Sequence, residues 1–466
     1  MDVLLTHGYC LAEDSAEREI MRPHPPLGLL YLTSHLRAKG LDVDVVDTTF
    51  SSLAEVEARL ERSRPKLVGI YANLMTRSNV LRLVRFASNL GLPVLVGGPD
   101  PAPWAEEYLR AGATFVGEGE GERTIEELVP HLERHGRAEL ERVAGLAWLE
   151  GGEVRRAPAR ERMKELDAQP FPARDAIDIS RYLAAWRKKH GFGAVSIITA
   201  RGCPFRCDWC SHTVFGHSHR RRSVKNVADE VAMIRERYRP ERLWYADDVF
   251  TIHRRWLLEY CEELSRRELQ TPFETITRED CLDAEVLDAL RTMQCKKLWI
   301  GAESGSQRIL DAMQRKTDAL RMREMVKQTK EHGIEVGTFV MVGYEGETPS
   351  DIEATREHLL EAMPDQVLTT IAYPIKGTGY YEKVRDRVFA VRAWADGSDR
   401  DHTVIGRRSR RYYEHARDWI EHSVLHRRLE LAGRGRTLLA AKHLVRAQKA
   451  RLGMRATEHE TEAGER

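Results

Sequence analysis

The sequence has no apolar run approaching the roughly 18 residues that a membrane-spanning helix needs. That excludes a bundle of membrane helices. Its first residues, MDVLLTHGYCLAED, show no basic segment followed by an apolar stretch, so no secretory leader is read there. It has no excess of either charge: 73 Lys and Arg stand against 72 Asp and Glu, a formal net charge of +1. Nothing global demands nucleic acid or an anionic surface. Cysteine is scarce, seven in 466 residues. An odd, scattered set excludes a disulfide-stapled secreted scaffold and suits a reducing cytoplasm.

Three of those cysteines nevertheless fall within eight residues, Cys203-Pro204-Phe205-Arg206-Cys207-Asp208-Trp209-Cys210. The others, Cys10, Cys261, Cys281 and Cys295, are dispersed. Thiolates spaced C-x3-C-x2-C can converge on one metal centre, and three ligands leave a coordination position open for chemistry. A structural zinc site completed by His212 is the alternative, although zinc sites usually come as separated C-x2-C pairs and no second pair is present. The motif resembles the signature of the radical SAM superfamily. The resemblance implies that Cys203, Cys207 and Cys210 hold three irons of a 4Fe-4S cluster. S-adenosylmethionine chelates the fourth iron and is cleaved by one electron to a 5′-deoxyadenosyl radical. It also implies that Trp209 packs near the adenine, and that a low-potential donor such as flavodoxin or ferredoxin supplies electrons.

Ahead of the motif, residues 1–140 alternate short apolar runs with helical patterns, five β-α units in sequence. This predicts an α/β fold, an open, parallel, doubly wound sheet of flavodoxin-like (Rossmann) type. Such sheets bind ligands beyond the carboxyl ends of their strands. Three segments fall there: Arg22 to Gly28, Gly97-Gly98-Pro99-Asp100, and Gly117-Glu118-Gly119-Glu120-Gly121-Glu122. Their glycines permit close approach of a flat or phosphate-bearing ligand, or serve as tight turns. PPLGLLYL, VLVGGPD and VGEGEGE together resemble the cobalamin-binding domain fused in front of many radical SAM enzymes. The resemblance implies cobalamin held by Pro26, Leu27, Gly28, Gly97, Gly98, Gly117, Glu118 and Gly119. The D-x-H-x-x-G motif that ligates cobalt from below in other cobalamin proteins is absent. His24 is a conceivable substitute, and a cobalt without a His ligand is the expectation.

Residues 141–193 read as a linker, with a hairpin around Gly151-Gly152 and a stiff, proline-bracketed stretch from Leu166 to Asp175. The βα rhythm resumes over 194–385, with six strands expected at 195–199, 242–246, 273–277, 297–300, 335–341 and 367–372. This predicts a partial (β/α)6 barrel of TIM-like form, whose chemistry sits at the strand ends. Asp247 and Asp248 end the second strand, Arg278 follows the third, and Glu303 and Ser304 end the fourth. By resemblance these five bind S-adenosylmethionine. Tyr344-Glu345 and Pro374-Ile375-Lys376-Gly377-Thr378 depart from the family's usual G-F-P-G-E-T and P-x-P-G-T. Residues 386–466 read as a helical C-terminal region: one amphipathic helix, a second rich in Lys and Arg, and a disordered polar tail after Gly453. The basic excess reads as a solvated face, with lipid or RNA contact as the alternatives.

The resemblance implies a cobalamin-dependent radical SAM methyltransferase acting on an unactivated carbon of a small molecule, lipid or peptide. An oxidative cyclase or ring-rearranging enzyme with the same cofactors is the alternative. A non-enzymatic cobalamin sensor or carrier is the third reading. A methylthiotransferase would need a second cluster in the first domain, where Cys10 stands alone.

Overall fold

Short β-branched and aliphatic runs become strands, and the amphipathic stretches between them become helices. The computed structural model describes residues 1–462 and falls into two compact units. The first takes in residues 1–204, 211–244 and 392–398, and the second residues 205–210, 245–391 and 399 onward.

The first unit opens with β1 (Val3–His7), α1 (Ser15–Ile20), α2 (Leu27–Ala38), β2 (Val43–Val46), α3 (Leu53–Ser63), β3 (Leu67–Tyr71), α4 (Arg77–Asn89), β4 (Val94–Gly97), α5 (Ala105–Arg110), β5 (Phe115–Gly117) and α6 (Gly121–His135). The sheet order is β2-β1-β3-β4-β5, all parallel, which is the flavodoxin order. Alternation along β1 explains why helices cover both faces. Val3 and Leu5 join one apolar cluster and Leu4 joins the other, and all three are fully buried. In α3, Leu53, Val56 and Leu60 recur at helical spacing and are the buried residues.

The hairpin of the linker, β6 (Leu146–Glu150) and β7 (Glu153–Arg156), is present but is not free-standing. It adds two antiparallel strands to the sheet edge beside β5. Gly151 and Gly152 supply the two positive φ angles of its turn, +59° and +84°. After the proline-bracketed stretch, helix α7 (Ile179–His190) forms within residues 141–193, where only a linker was expected. Its Asp178 side chain accepts from the Ser180 amide, Tyr182, Leu183 and Trp186 are buried, and Gly191 ends it in the left-handed region.

Next come β8 (Ala194–Ile197), β9 (Ala200–Arg201), β10 (Arg220–Arg221), α8 (Val224–Tyr238) and β11 (Arg242–Tyr245). The pairs Arg201–Arg220 and Ala200–Arg221 make an antiparallel clamp at the base of the cysteine-bearing loop.

The second unit continues with α9 (Arg254–Arg266), β12 (Phe273–Thr277), α10 (Ala284–Thr292), β13 (Cys295–Glu303), α11 (Gln307–Ala312), α12 (Ala319–Glu331), β14 (Glu335–Val342), α13 (Pro349–Ala362) and β15 (Gln366–Ile371). Strands β12, β13, β14 and β15 pair in that order, all parallel. The six anticipated strands therefore all form. The stretch 306–332 folds as two helices, α11 and α12, with Gln314 and Lys316 at positive φ between them.

The end of the chain contains α14 (Gly379–Val384), β16 (Val388–Ala390), β17 (His402–Val404), α15 (Arg410–Leu431) and α16 (Leu438–Ala456). β16 and β17 form a short antiparallel hairpin. The disordered tail expected after Gly453 is corrected as far as residue 462. Helix α16 runs to Ala456, and the following residues return to Gly406–Ser409. There, Glu462 exchanges backbone hydrogen bonds with Gly406 and Arg407, and Ser409 donates to Glu460. Backbone pairing outweighed the polar composition. Residues 463–466 of that tail lie outside the described residues.

Candidate active site

In the first unit, the acidic residues of the third glycine loop meet cations rather than open space. Arg201, two residues before Cys203, places Nη1 2.8 Å from Glu120 Oε1 and Nη2 2.6 Å from Glu122 Oε1. Arg220, across the clamp, donates to Glu120 Oε2 at 2.8 Å. The Met163 amide adds a fourth donor at 2.8 Å. Burial alone would raise the Glu120 carboxyl, but Arg201 and Arg220 hold it below its ordinary value. The loop thus grips both strands from which the cysteine segment springs.

Two further contacts lie just past Cys210. Thr213 Oγ1 donates to the Pro99 carbonyl at 2.9 Å, and the Val214 carbonyl lies 3.8 Å from where a Gly119 Cβ would stand. The segment after the cysteines therefore passes beside both the Gly97-Gly98-Pro99 and Gly117-Glu118-Gly119 loops. Gly202 makes the sharp entry to the cysteines: its φ is +83°, and a Cβ would lie 2.3 Å from the Ser218 carbonyl.

The cobalamin candidates divide by surroundings. Gly28, exposed on α2, and Gly97, at the end of β4, have no atom within 4 Å on the Cβ side. They offer bare backbone to a ligand. Gly98, with φ +114°, would drive a Cβ to 2.4 Å from the Ala72 carbonyl, so its glycine serves a close backbone approach. Pro26 caps α2 and Leu27 is buried. Gly117 ends β5 and Gly119 has φ +86°. Glu118 is tied to Arg156 at 3.0 Å. Asp100, which follows the paired glycines, is fixed by Arg77 at 3.0 and 2.6 Å and by the Tyr108 hydroxyl at 2.6 Å, all buried. His24 Nδ1 sits 2.9 Å from Ser196 Oγ, and its ring meets Trp186 edge-on.

In the second unit, Arg278 stands at the centre of the strand-end groups. It is 3% exposed. It clasps Asp280 at 2.9 and 2.7 Å and stacks 3.7 Å over the Phe205 ring. Its Nη1 approaches Cys207 Sγ to 3.7 Å. Burial raises the Cys207 thiol, and the guanidinium opposes that rise.

Glu303 occupies a bulge where the β13–β14 register shifts, and its φ is +61°. A left-handed non-glycine residue at a strand end is strained. Burial, and then the charge of Glu279, push its carboxyl up to about 8. Gly301 leaves the room: a Cβ there would lie 2.6 Å from Glu303 Oε1.

Asp247 is buried, whereas Asp248 is open to solvent at the turn. Surrounding protein and the neighbouring Asp247 both raise the Asp248 carboxyl. Ser304 is fully buried. Its hydroxyl lies 3.1 Å from Thr355 Oγ1 and accepts from the Ser306 amide at 3.1 Å. Trp209 is half-buried and packs on the cluster containing Tyr344 and Tyr380.

Two residues escaped the sequence reading. Asp208, inside the cysteine motif, anchors it. Its amide donates to the Met313 carbonyl at 3.1 Å, its carbonyl accepts from Tyr380 at 2.8 Å, and its carboxylate meets Lys383 and, at 3.3 Å, the Tyr344 hydroxyl. Tyr344, a departure from the family block, thus holds the cysteine segment. Glu279 is fully buried, and neither carboxyl oxygen has a hydrogen-bond partner. Burial, then Asp280, raise it to about 7, and Arg315 lies 3.7 Å away. The signal for Asp208 was its place between Cys207 and Trp209. Glu279 had only its place beside Arg278.

Cys203 is buried, Cys207 half-buried and Cys210 exposed, and all three are free thiols. Among the described residues, no three His, Cys, Asp or Glu side chains are gathered closely enough to hold a metal ion. The donor chemistry still suits an iron–sulfur cluster: three thiols in a clamped loop, one beside a guanidinium. Glu279, which has no hydrogen-bond partner, and strained Glu303 suit a ligand rich in hydroxyl and ammonium donors. Gly28 and Gly97 suit a flat one.

Two family models match, one described as the radical SAM superfamily over residues 197–359 and one as the B12 binding domain over residues 18–129. An uncharacterized methyltransferase of Pyrococcus horikoshii, PH0819, is 30% identical over 381 residues, covering 79% of this chain and 80% of that protein. The chain belongs to the cobalamin-binding radical SAM family. Its cofactors are accordingly S-adenosylmethionine, a 4Fe-4S cluster and cobalamin. The zinc and sensor readings fall. This radical SAM protein is also 28% identical to the anaerobic magnesium-protoporphyrin IX monomethyl ester cyclase of Rubrivivax gelatinosus, over 80% of this chain and 69% of that one. The structure of TsrM, a radical S-adenosylmethionine methyltransferase from Kitasatospora setae with cobalamin and a [4Fe-4S] cluster bound, superposes with a TM-score of 0.68. It shares 18% identity and covers 83% of this chain and 75% of that one, which shows the common fold. That fold is a flavodoxin-like domain followed by a partial (β/α)6 barrel and a helical C-terminus. No helix among the described residues is long and apolar enough to cross a membrane.

Proposed function

We propose that this protein is a cobalamin-dependent radical SAM methyltransferase that methylates an unactivated carbon of a small-molecule, lipid or peptide substrate. One observation carries the reading. The loop of the B12-binding domain that contains Gly117-Glu118-Gly119 binds, through Glu120 and Glu122, the arginines at both ends of the cysteine segment. The glycine loop thereby holds the two short strands that flank the cysteine segment.

In this reading residues 1–140 bind cobalamin, 141–193 connect, 194–385 carry the radical chemistry, and 386–466 complete the molecule. Cys203, Cys207 and Cys210 would hold the cluster. Asp247, Asp248, Arg278 and Glu303 would orient S-adenosylmethionine, with Trp209 beside its adenine and Ser304 shaping the strand end. Pro26, Leu27, Gly28, Gly97, Gly98, Gly117, Glu118 and Gly119 would line the corrin. When bound, these groups supply one-electron radical generation and a methyl donor. The chain's own part is positional. Arg278 sets the charge beside one thiolate, Asp208 and Tyr344 fix the cysteine segment, and Glu303 would offer its carboxyl to S-adenosylmethionine. A low-potential protein such as flavodoxin or ferredoxin would deliver the electron.

Anaerobic reconstitution tests this. Wild type should bind iron and sulfide, retain a corrinoid, and turn S-adenosylmethionine into 5′-deoxyadenosine under reduction. Cys207→Ala should lose the iron and keep the corrinoid. Equal loss of both would sink the division of labour. The 28% identity to the cyclase supports a second reading, oxidative cyclisation without methyl transfer, less well than the 30% identity to PH0819 supports the first. Product mass separates the two, because only methylation adds a methyl group derived from S-adenosylmethionine.

A further inference from the structure

Helix α16 packs one face on α15 and leaves the opposite face bare. Ala440, Ala447, Ala450 and Met454 are its buried residues. Leu438, Val445 and Leu452 recur every seventh residue on the other side and are 92%, 63% and 64% exposed. Seven residues advance a helix by about 10 Å, so the three form one outward stripe about 20 Å long. Exposed Lys442 and Lys449 stand beside it on the same side of the helix. Between Leu431 and Thr457 the chain has seven Lys and Arg and no Asp or Glu. A protein with a net charge of +1 thus carries a local cationic excess on and before the helix that presents this stripe, with Lys442 and Lys449 beside the stripe and Arg451 turned to Trp419 and Glu353 on the packed side.

We propose that the outer face of α16 docks on an anionic lipid surface, lying in the interface rather than crossing it. An aliphatic stripe flanked by Lys and Arg is the pattern that buries its apolar side chains at the headgroup–acyl boundary while its cations meet lipid phosphates. No helix among the described residues could span a bilayer, so this surface would be peripheral. RNA fits the face less well. Single-stranded RNA is held by stacking on aromatic rings, and α16 contains no Phe, Tyr or Trp. A second copy fits less well too, because pairing this face with itself would bring like charges together.

The test is sedimentation of the full chain with vesicles of equimolar phosphatidylcholine and phosphatidylglycerol, beside pure phosphatidylcholine. Wild type should bind the anionic vesicles, bind the neutral ones more weakly, and release with salt. The triple variant Leu438→Gln, Val445→Gln, Leu452→Gln changes only exposed positions and keeps good helix formers. It should lower the vesicle partition coefficient by about tenfold or more, with circular dichroism unchanged. Lys442→Gln with Lys449→Gln should lower it several-fold and flatten its salt dependence. Wild type that ignores anionic vesicles would overturn the proposal, as would equal binding by wild type and the triple Gln variant. Two other results would also overturn it: a wild-type dimer dissociated by the triple Gln variant, or RNA binding that survives the Gln substitutions while vesicle binding is absent.

Discussion

Replacing Arg201 by Met should expose how much of the fold depends on joining the third glycine loop to the cysteine segment. Its side chain is 8% exposed, and those of Glu120 and Glu122 are 5% and 6% exposed. Removing one partner from such a buried set leaves carboxylates without their cation, which costs about 3–5 kcal/mol. Arg220 and the Met163 amide still serve Glu120, so the lower end of that range is expected. For a unit of this size that corresponds to about 6–12 °C in Tm. Anaerobic thermal melts and urea titrations of the loaded protein would read it, and iron content would fall with it. The sign of the pH dependence follows from the depressed Glu120 carboxyl. Its stabilisation is present above the ordinary value of 4.5 and is lost as pH falls through the lower folded value. The gap between wild type and Arg201→Met should therefore narrow on acidification. Adding Glu122→Gln to the variant should recover part of the loss, because Glu122 has Arg201 as its cation whereas Glu120 keeps Arg220. A single variant within about 1 kcal/mol of wild type, or a double variant no better than the single one, would refute the reasoning.

Gly202→Ala should cost about 1–3 kcal/mol in backbone strain alone, with the 2.3 Å approach to the Ser218 carbonyl adding to it. Denaturation and iron stoichiometry would show it. Glu303→Gln should weaken S-adenosylmethionine binding in calorimetry while flattening the pH dependence of the ligand-free protein. Because the folded carboxyl is raised to about 8 from 4.5, the wild type loses stability as pH rises between those values and the Gln variant should not. Tyr344→Phe removes a 3.3 Å hydrogen bond to Asp208 and should cost about 1 kcal/mol. Asp208→Ala should cost more and lower iron retention, measured by anaerobic iron and sulfide assay.

The sequence by itself determined the order of the elements and the chemistry of the cofactors. Apolar periodicity is written among near neighbours, so all six strands of the second βα series and the 2-1-3-4-5 sheet could be anticipated. Cys203, Cys207 and Cys210 needed no tertiary information, because their spacing is itself the signal. Helix α7 was legible at 179, 182, 183 and 186, but the prolines before it drew the reading toward an extended linker. What only the tertiary structure decided is which charge meets which. Glu120 and Glu122, read as part of a glycine loop, turn to Arg201 and Arg220, some 80 to 100 residues away. Ser304 turns inward to Thr355, and Glu279 is left buried without a hydrogen-bond partner. Local pattern fixes strands and helices because their hydrogen bonds close within or alongside a segment. The partner of a charged side chain depends on how distant segments are brought together, which no window of neighbouring residues contains.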